Sequence, residues 1–252
     1  MGELLFWPVL LGYGEAAVAY SSPRFTRAAT WGVRLGWLAQ TVLLASQAVR
    51  ADGFPWSSWA GSLNLFVWLV VGTYLVWGCR PRYRLLGLAV MPLAAVLFLA
   101  ARFGGGMGVG SPSGYGSLFL VLHVGLVLAA FAGFTVAAAL AGMYLLEDHR
   151  LRHRASNILS LRLPSLVVLE RLTLRTVAVS LPLLTLGLAA GFVRLREDGG
   201  GFDALMAVTL LTWLVYGGFL AVRPTGRRGA YVALAGFLLV ILVRIALAGS
   251  HS

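Results

Sequence analysis

The stretch SLFLVLHVGLVLAAFAGFTVAAALAGMYLLED, Ser117 to Asp148, carries no charge until its last two residues. A helix rises roughly 1.5 Å per residue, so about 20 residues cross the hydrocarbon core of a bilayer, and this stretch is a full span with some overhang. One ionisable group sits inside it, His123, about two helical turns from the N-terminal end. Steps of seven and eleven from His123 meet Ala130, Phe134, Ala137 and Ala141, with Gly133 beside them. The histidine therefore shares a face with mostly small residues, the kind that lets helices approach closely in lipid, which predicts that it looks into a bundle. An ionisable side chain within a membrane is by default a functional candidate. The alternative is a neutral histidine hydrogen-bonded to a neighbouring helix.

The rest of the chain has the same character. Of its 252 residues 59% are hydrophobic and only 12% are charged, with a mean hydropathy of +0.85, far above that of a soluble globular domain. The net charge of +11 resembles that of a nucleic-acid binder, but all 20 basic residues are arginine and they gather in short joints between apolar runs. Membrane topology accounts for that pattern and nucleic acid does not. With Cys79 as the single cysteine, there is no disulfide, CxxC or thiolate cluster.

Eight spans are predicted, at about 4–20, 28–48, 61–79, 85–102, 117–146, 174–194, 204–222 and 229–248. They make an all-α integral membrane protein, a bundle of about eight transmembrane helices read as one domain over 1–252. Alternate joints differ in charge. Arg24 and Arg27, then Arg80, Arg82 and Arg84, then the run from Arg150 to Arg175, then Arg223, Arg227 and Arg228 fall on one side. The other side has only Arg50, Arg102, Arg194, Arg196 and Arg244 near it. Because the cytoplasmic side holds the arginine excess, both termini are expected outside. The chain opens Met1-Gly2-Glu3 without a basic n-region, so the first segment reads as a retained helix.

Two charges fall within spans, Glu15 in the first and Arg34 in the second, at similar depth from the inner end. They are expected to form a structural salt bridge between neighbouring helices, the alternative being a polar pathway. The longest inner segment, Glu147 to Thr176, reads as a basic amphipathic stretch that meets anionic lipid. Its His149 and His153 stand at i and i+4, but no third metal ligand is near them. The outer loop FGGGMGVGSPSGYGS, Phe103 to Ser117, lacks the lysine and hydroxyl of a phosphate-binding loop and reads as a lid or connector.

This topology brings three features to the outer face: His123, the loop EDGGGFD from Glu197 to Asp203, and His251 just beyond the last span. Two imidazoles at one membrane surface suit six-coordinate haem iron. The plainer readings are a frayed chain end for His251 and a helix N-cap for Asp203.

Several runs then resemble a known family. QTVLLASQAVRADGFPWSSWAGSLNLFVWLV from Gln40, LHVGLVLAAFAGFTVAAALAGMYLLE from Leu122, LERLTLRTVAVSLPLLTLGLAAG from Leu169, FDALMAVTLLTWLVY from Phe202 and GRRGAYVALAGFLLVILV from Gly226 are similar, in this order, to the CcsA/HemX family of cytochrome c assembly proteins. The resemblance implies a multi-pass protein of the cytoplasmic membrane that handles haem on its outer face, beside a ResB-like partner, and presents it to apocytochrome c. It implies His123 and His251 as axial ligands of the haem iron, Phe202 and Asp203 as the remnant of a tryptophan-rich WWD platform, and Trp213 as an aromatic wall. Any catalytic contribution would be noncovalent, through proximity. The sequence departs from the family pattern in three places. The platform is reduced to GGGFD, Gln40 and Ala221 stand where full synthases carry intramembrane histidines, and SSWAGS, Ser57 to Ser62, replaces NxYES. Two other readings stay open: a HemX-like membrane regulator of tetrapyrrole synthesis acting through its basic inner segment, and a small-molecule transporter with Glu15 and Arg34 along its path.

Overall fold

The computed structural model describes residues 2–50, 58–78, 84–105, 118–152, 164–197 and 204–249. Eight α-helices are seen among them: α1 (Gly2–Ala19), α2 (Thr26–Arg50), α3 (Trp59–Gly78), α4 (Arg84–Phe103), α5 (Leu118–Arg152), α6 (Leu166–Glu197), α7 (Ala204–Val222) and α8 (Gly226–Gly249), with a short 3-10 turn, Pro23–Phe25, between α1 and α2. Each of the eight expected spans corresponds to one helix. The protein is an all-helical, multi-pass membrane protein. By length and composition, windows in α3, α4, α5 and α6 are apolar enough to cross a membrane, while α1 and α7 hold shorter apolar stretches. The second helix carries Arg27, Arg34, Gln40, Gln47 and Arg50, which dilute its apolar character. Pro8, Pro92 and Pro182 lie inside helices, as membrane helices tolerate when neighbours satisfy the freed carbonyls.

Contacts divide the chain into two compact units, Met1–Ser117 and Leu118–Ser252, where the sequence reading treats 1–252 as one domain. In the first, α1 packs on α2 and α4, and α3 packs on α4 and α2, closing a ring of four helices. In the second, α5 packs on α6 and α8, and α7 packs on α8 and α6.

The first unit is seamed by glycine. A Cβ placed on Gly12 would lie 2.6 Å from the carbonyl oxygen of Gly32 and 3.0 Å from Cα of Gly36, so the α1 and α2 backbones touch there. The buried face of α1 follows the helical repeat through Phe6, Val9, Tyr13 and Ala16, with buried Tyr20 just past its end. From that face the Tyr13 hydroxyl donates to Gln40 Oε1 at 2.6 Å, and Gln40 Nε2 donates to the carbonyl and the Oδ1 of Asn64 at 3.0 and 2.8 Å. Gln40 and Asn64 are fully buried, so this chain of bonds ties α1, α2 and α3 together inside the unit. On its flank Trp37 and Trp68 stack at 5.2 Å, each indole N–H donating to the other helix, to the Trp68 carbonyl and the Thr41 hydroxyl.

The second unit contains the longest helices. α5 continues six residues past the expected end of its span, and α6 begins eight residues before the expected start of its own. Thus the ends of the inner segment, expected to be a surface stretch, are continuations of α5 and α6. The reason is local. Glu147 pairs with Arg150 at 3.8 Å and Asp148 with Arg152 at 3.0 Å, i,i+3 and i,i+4 contacts that favour more helix. In α6, Leu169, Leu172, Thr173 and Thr176 fall on one buried face while Arg171 and Arg175 point outward. Asp148 also meets Arg227 at 3.6 Å, which links the ends of α5 and α8. Deeper in, Phe134 stacks on Tyr216 with ring centroids 3.8 Å apart, and Tyr216 donates to the Ala233 carbonyl, joining α5, α7 and α8.

Candidate functional site

The site is built on the line where α5 meets α6. Gly133 faces Ser180, Val127 faces Gly187, and His123 faces Gly191, so one number rises as the other falls and the two helices run antiparallel. Glycine makes this close approach possible. A Cβ on Gly133 would run into the Ser180 hydroxyl, and one on Gly187 would lie 2.8 Å from a methyl of Val127. The face of α5 that carries His123 is buried through Ala130, Phe134, Ala137 and Ala141, as the helical steps from the histidine predict.

His123 itself is half-buried. Its Nδ1 lies 2.6 Å from the carbonyl oxygen of Gly187. A carbonyl only accepts, so Nδ1 carries a proton, and in the neutral ring Nε2 then keeps its lone pair. Among the described residues Nε2 has no hydrogen-bond partner. The ring rests on Gly191, where a Cβ would come within 2.6 Å of Cε1 and 2.8 Å of Nδ1. A backbone carbonyl holding one imidazole nitrogen while the other stays open is the arrangement that fixes tautomer and aim in metal-ligating histidines. The donor chemistry of this imidazole therefore fits an axial position on haem iron.

The other expected site residues divide into three groups. Phe202, Asp203 and His251 lie outside the described residues, as do Cys79, His153 and most of the 103–117 loop. Trp213, on α7, is half-buried and donates its indole N–H to Thr185 Oγ1 at 2.9 Å. Thr185 precedes Gly187 by two residues, about 200° around α6. Trp213 thus meets α6 on a different side from the one that holds His123. Of the positions matched to intramembrane histidines, Gln40 is sealed in the first unit and Ala221 is exposed on α7.

Glu15 and Arg34 are both exposed, and among the described residues no ion pair joins them. The physical reason is rotation about α2. Gly32 abuts α1 and lies beside the Glu15 carboxylate, whereas Arg34, two residues on and about 200° around the helix, faces away from α1. Its guanidinium instead lies over Trp31, 5.2 Å from the ring centroid. Equal depth was not enough to pair them, and neither lines an interior path.

Sequence reasoning missed Gly187, Gly191, Tyr13 and Asn64. The first two form a small-xxx-small pattern, GLAAG, of the kind that marks close helix contact. Asn64 stands alone in an apolar run, where a lone amide signals an interhelical hydrogen bond.

Comparison with known proteins bears on the same residues. The chain is 25% identical to the cytochrome c biogenesis protein CcsA of Microcystis aeruginosa, over 94% of this chain and 89% of that one. It is 27% identical to the CcsA protein of Guillardia theta over 82% and 77% of the two chains, and 26% identical to that of Picosynechococcus over 94% and 89%. The alignment to the Microcystis protein runs over 292 positions, more than this chain has residues, so that relative carries inserted stretches. Residues 56–248 match the cytochrome C assembly protein family, a stretch that takes in His123, Phe202, Asp203 and Trp213 and stops short of His251. That match covers most of the chain, and the protein belongs to the cytochrome C assembly family.

Proposed function

We propose that this protein holds haem at the non-cytoplasmic face of the cytoplasmic membrane and presents it to apocytochrome c, with His123 as one axial ligand and His251 as the other. The observation that carries the proposal is the His123 imidazole, oriented through Nδ1 on the Gly187 carbonyl with Nε2 open. The outward position of that end of α5 follows from the arginine excess in the joints at its other end. Phe202 and Asp203 are the proposed remnant of the haem platform. Trp213 is the proposed aromatic wall, packed on the side of α6 that bears Thr185. Haem, as the cargo, supplies the iron to be ligated and the vinyl groups that a partner's thiols bond. What the chain contributes is position, holding the macrocycle where those thiols reach it, and a ResB-like membrane protein is the proposed companion.

The protein purified in mild detergent and scanned in the visible region tests this reading. A Soret band is expected in the native chain and its loss in His123→Ala. A native-strength band in His123→Ala overturns the assignment. A colourless protein that copurifies with a haem-synthesis enzyme would instead favour the HemX-like regulator. Transport is the weakest reading, because Glu15 and Arg34 are exposed rather than interior.

A further inference from the structure

The geometry points to Gly187 and Gly191 as the positioning residues of the site: the Gly187 carbonyl selects the His123 tautomer that leaves Nε2 free, and the bare Cα of Gly191 provides the seat for the ring. This rests on the haem reading for its purpose, but its physical content belongs to the protein without ligand.

The two glycines are one turn apart on α6 and lie on the same face. Gly187 brings the α6 backbone close to Val127, one turn below His123 on α5, which sets the separation of the helices. At that separation the imidazole spans the gap and reaches the carbonyl at 2.6 Å. The ring then lies flush with α6, since the nearest approaches of a Gly191 Cβ are to Cε1 and Nδ1, with Nε2 further off at 3.5 Å. An alanine there meets the two ring atoms nearest to the carbonyl bond. Relief requires the ring to rotate, and rotation breaks the Nδ1 hydrogen bond. The nitrogen that would bind iron is not itself obstructed, so the damage is to aim and tautomer rather than to access.

Gly125 provides an internal control. It lies on α5 two residues from His123, and a Cβ there meets nothing within 4 Å. Gly125→Ala changes the same helix, in the same unit, without touching the ring.

The test uses the full chain in nanodiscs with ¹⁵N-labelled histidine. In the unliganded native protein the His123 ring is expected as the neutral tautomer protonated at Nδ1. A ring protonated at Nε2 overturns the inference without any variant being made. Gly191→Ala is expected to lose that signature and to bind added haemin about 10- to 100-fold more weakly, the usual effect of disturbing the group that orients a metal ligand, while Gly125→Ala keeps both. If Gly191→Ala retains the Nδ1 tautomer and native haemin affinity, the glycines are packing residues only and the inference fails while haem presentation stands. If the tautomer is as stated and Gly191→Ala loses it, yet no form of the protein binds haemin, the positioning role stands and the haem reading fails. Should Gly191→Ala not fold, the native tautomer alone decides.

Discussion

The two four-helix units solve the same problem in opposite ways. Each places polar atoms among apolar helices, where an unsatisfied donor or acceptor costs several kcal/mol. In the first unit Gln40 has both ends of its amide engaged, by Tyr13 on one side and Asn64 on the other, and no face of it meets solvent. In the second, His123 has one nitrogen engaged and is only half-buried. The first arrangement is closed and holds helices together. The second is half closed, and the engaged half serves to aim the open one. A buried polar residue in this protein is thus read by whether its last hydrogen-bonding atom is taken.

That contrast breaks most readily at Gln40. Gln40→Leu strands the Tyr13 hydroxyl and removes the two bonds to Asn64, and a loss of about 1–3 kcal/mol is expected for the orphaned hydroxyl alone. Thermal unfolding in detergent should show the loss, with any haem absorption unchanged. If Gln40→Leu leaves unfolding untouched, the network is not what joins α1, α2 and α3. The next effect falls on the α5–α6 seam. Gly133→Ala sets a methyl against the Ser180 hydroxyl, at an expected cost of about 1–3 kcal/mol for overpacking. Ser180→Ala in the same chain should recover part of that loss, because it removes the opposing oxygen. A double variant as unstable as Gly133→Ala alone would show that the contact at this point is not the source. The smallest effect is at the ends of α5 and α8. Asp148 faces Arg152 and Arg227, both largely exposed, so Asp148→Asn should cost less than about 1 kcal/mol and the difference should shrink in high salt.

Much of the fold was legible because long apolar runs announce themselves, and each of the eight expected spans matches a helix, four of them apolar enough over their length to cross a membrane. The buried face of α5 was legible too, since a residue's neighbours on a helix follow from its number. What was not legible depended on the relation between helices. The bond from His123 to Gly187 joins residues 64 apart and exists only at one antiparallel register, set by glycines whose partners the sequence does not name. The expected Glu15–Arg34 bridge failed for a similar reason. Depth along a helix can be counted, but the side on which Arg34 emerges is fixed by which residue of α2 abuts α1, and that residue is Gly32. The extra turns of α5 were hidden because charged residues look like loop until their i,i+3 and i,i+4 pairs are placed on a helix. Gln40 was read as a lost ligand position, when its amide is engaged at both ends in a hydrogen-bonded joint.

Haemin titration of His123→Ala and Gln40→Leu, side by side in the same membrane preparation and followed in the Soret region, tests the division between open and closed sites directly. The His123 variant should lose the band while Gln40→Leu keeps it at native affinity with lowered thermal stability. A band that survives without His123 and disappears without Gln40 would place the ligand in the first unit and contradict the account.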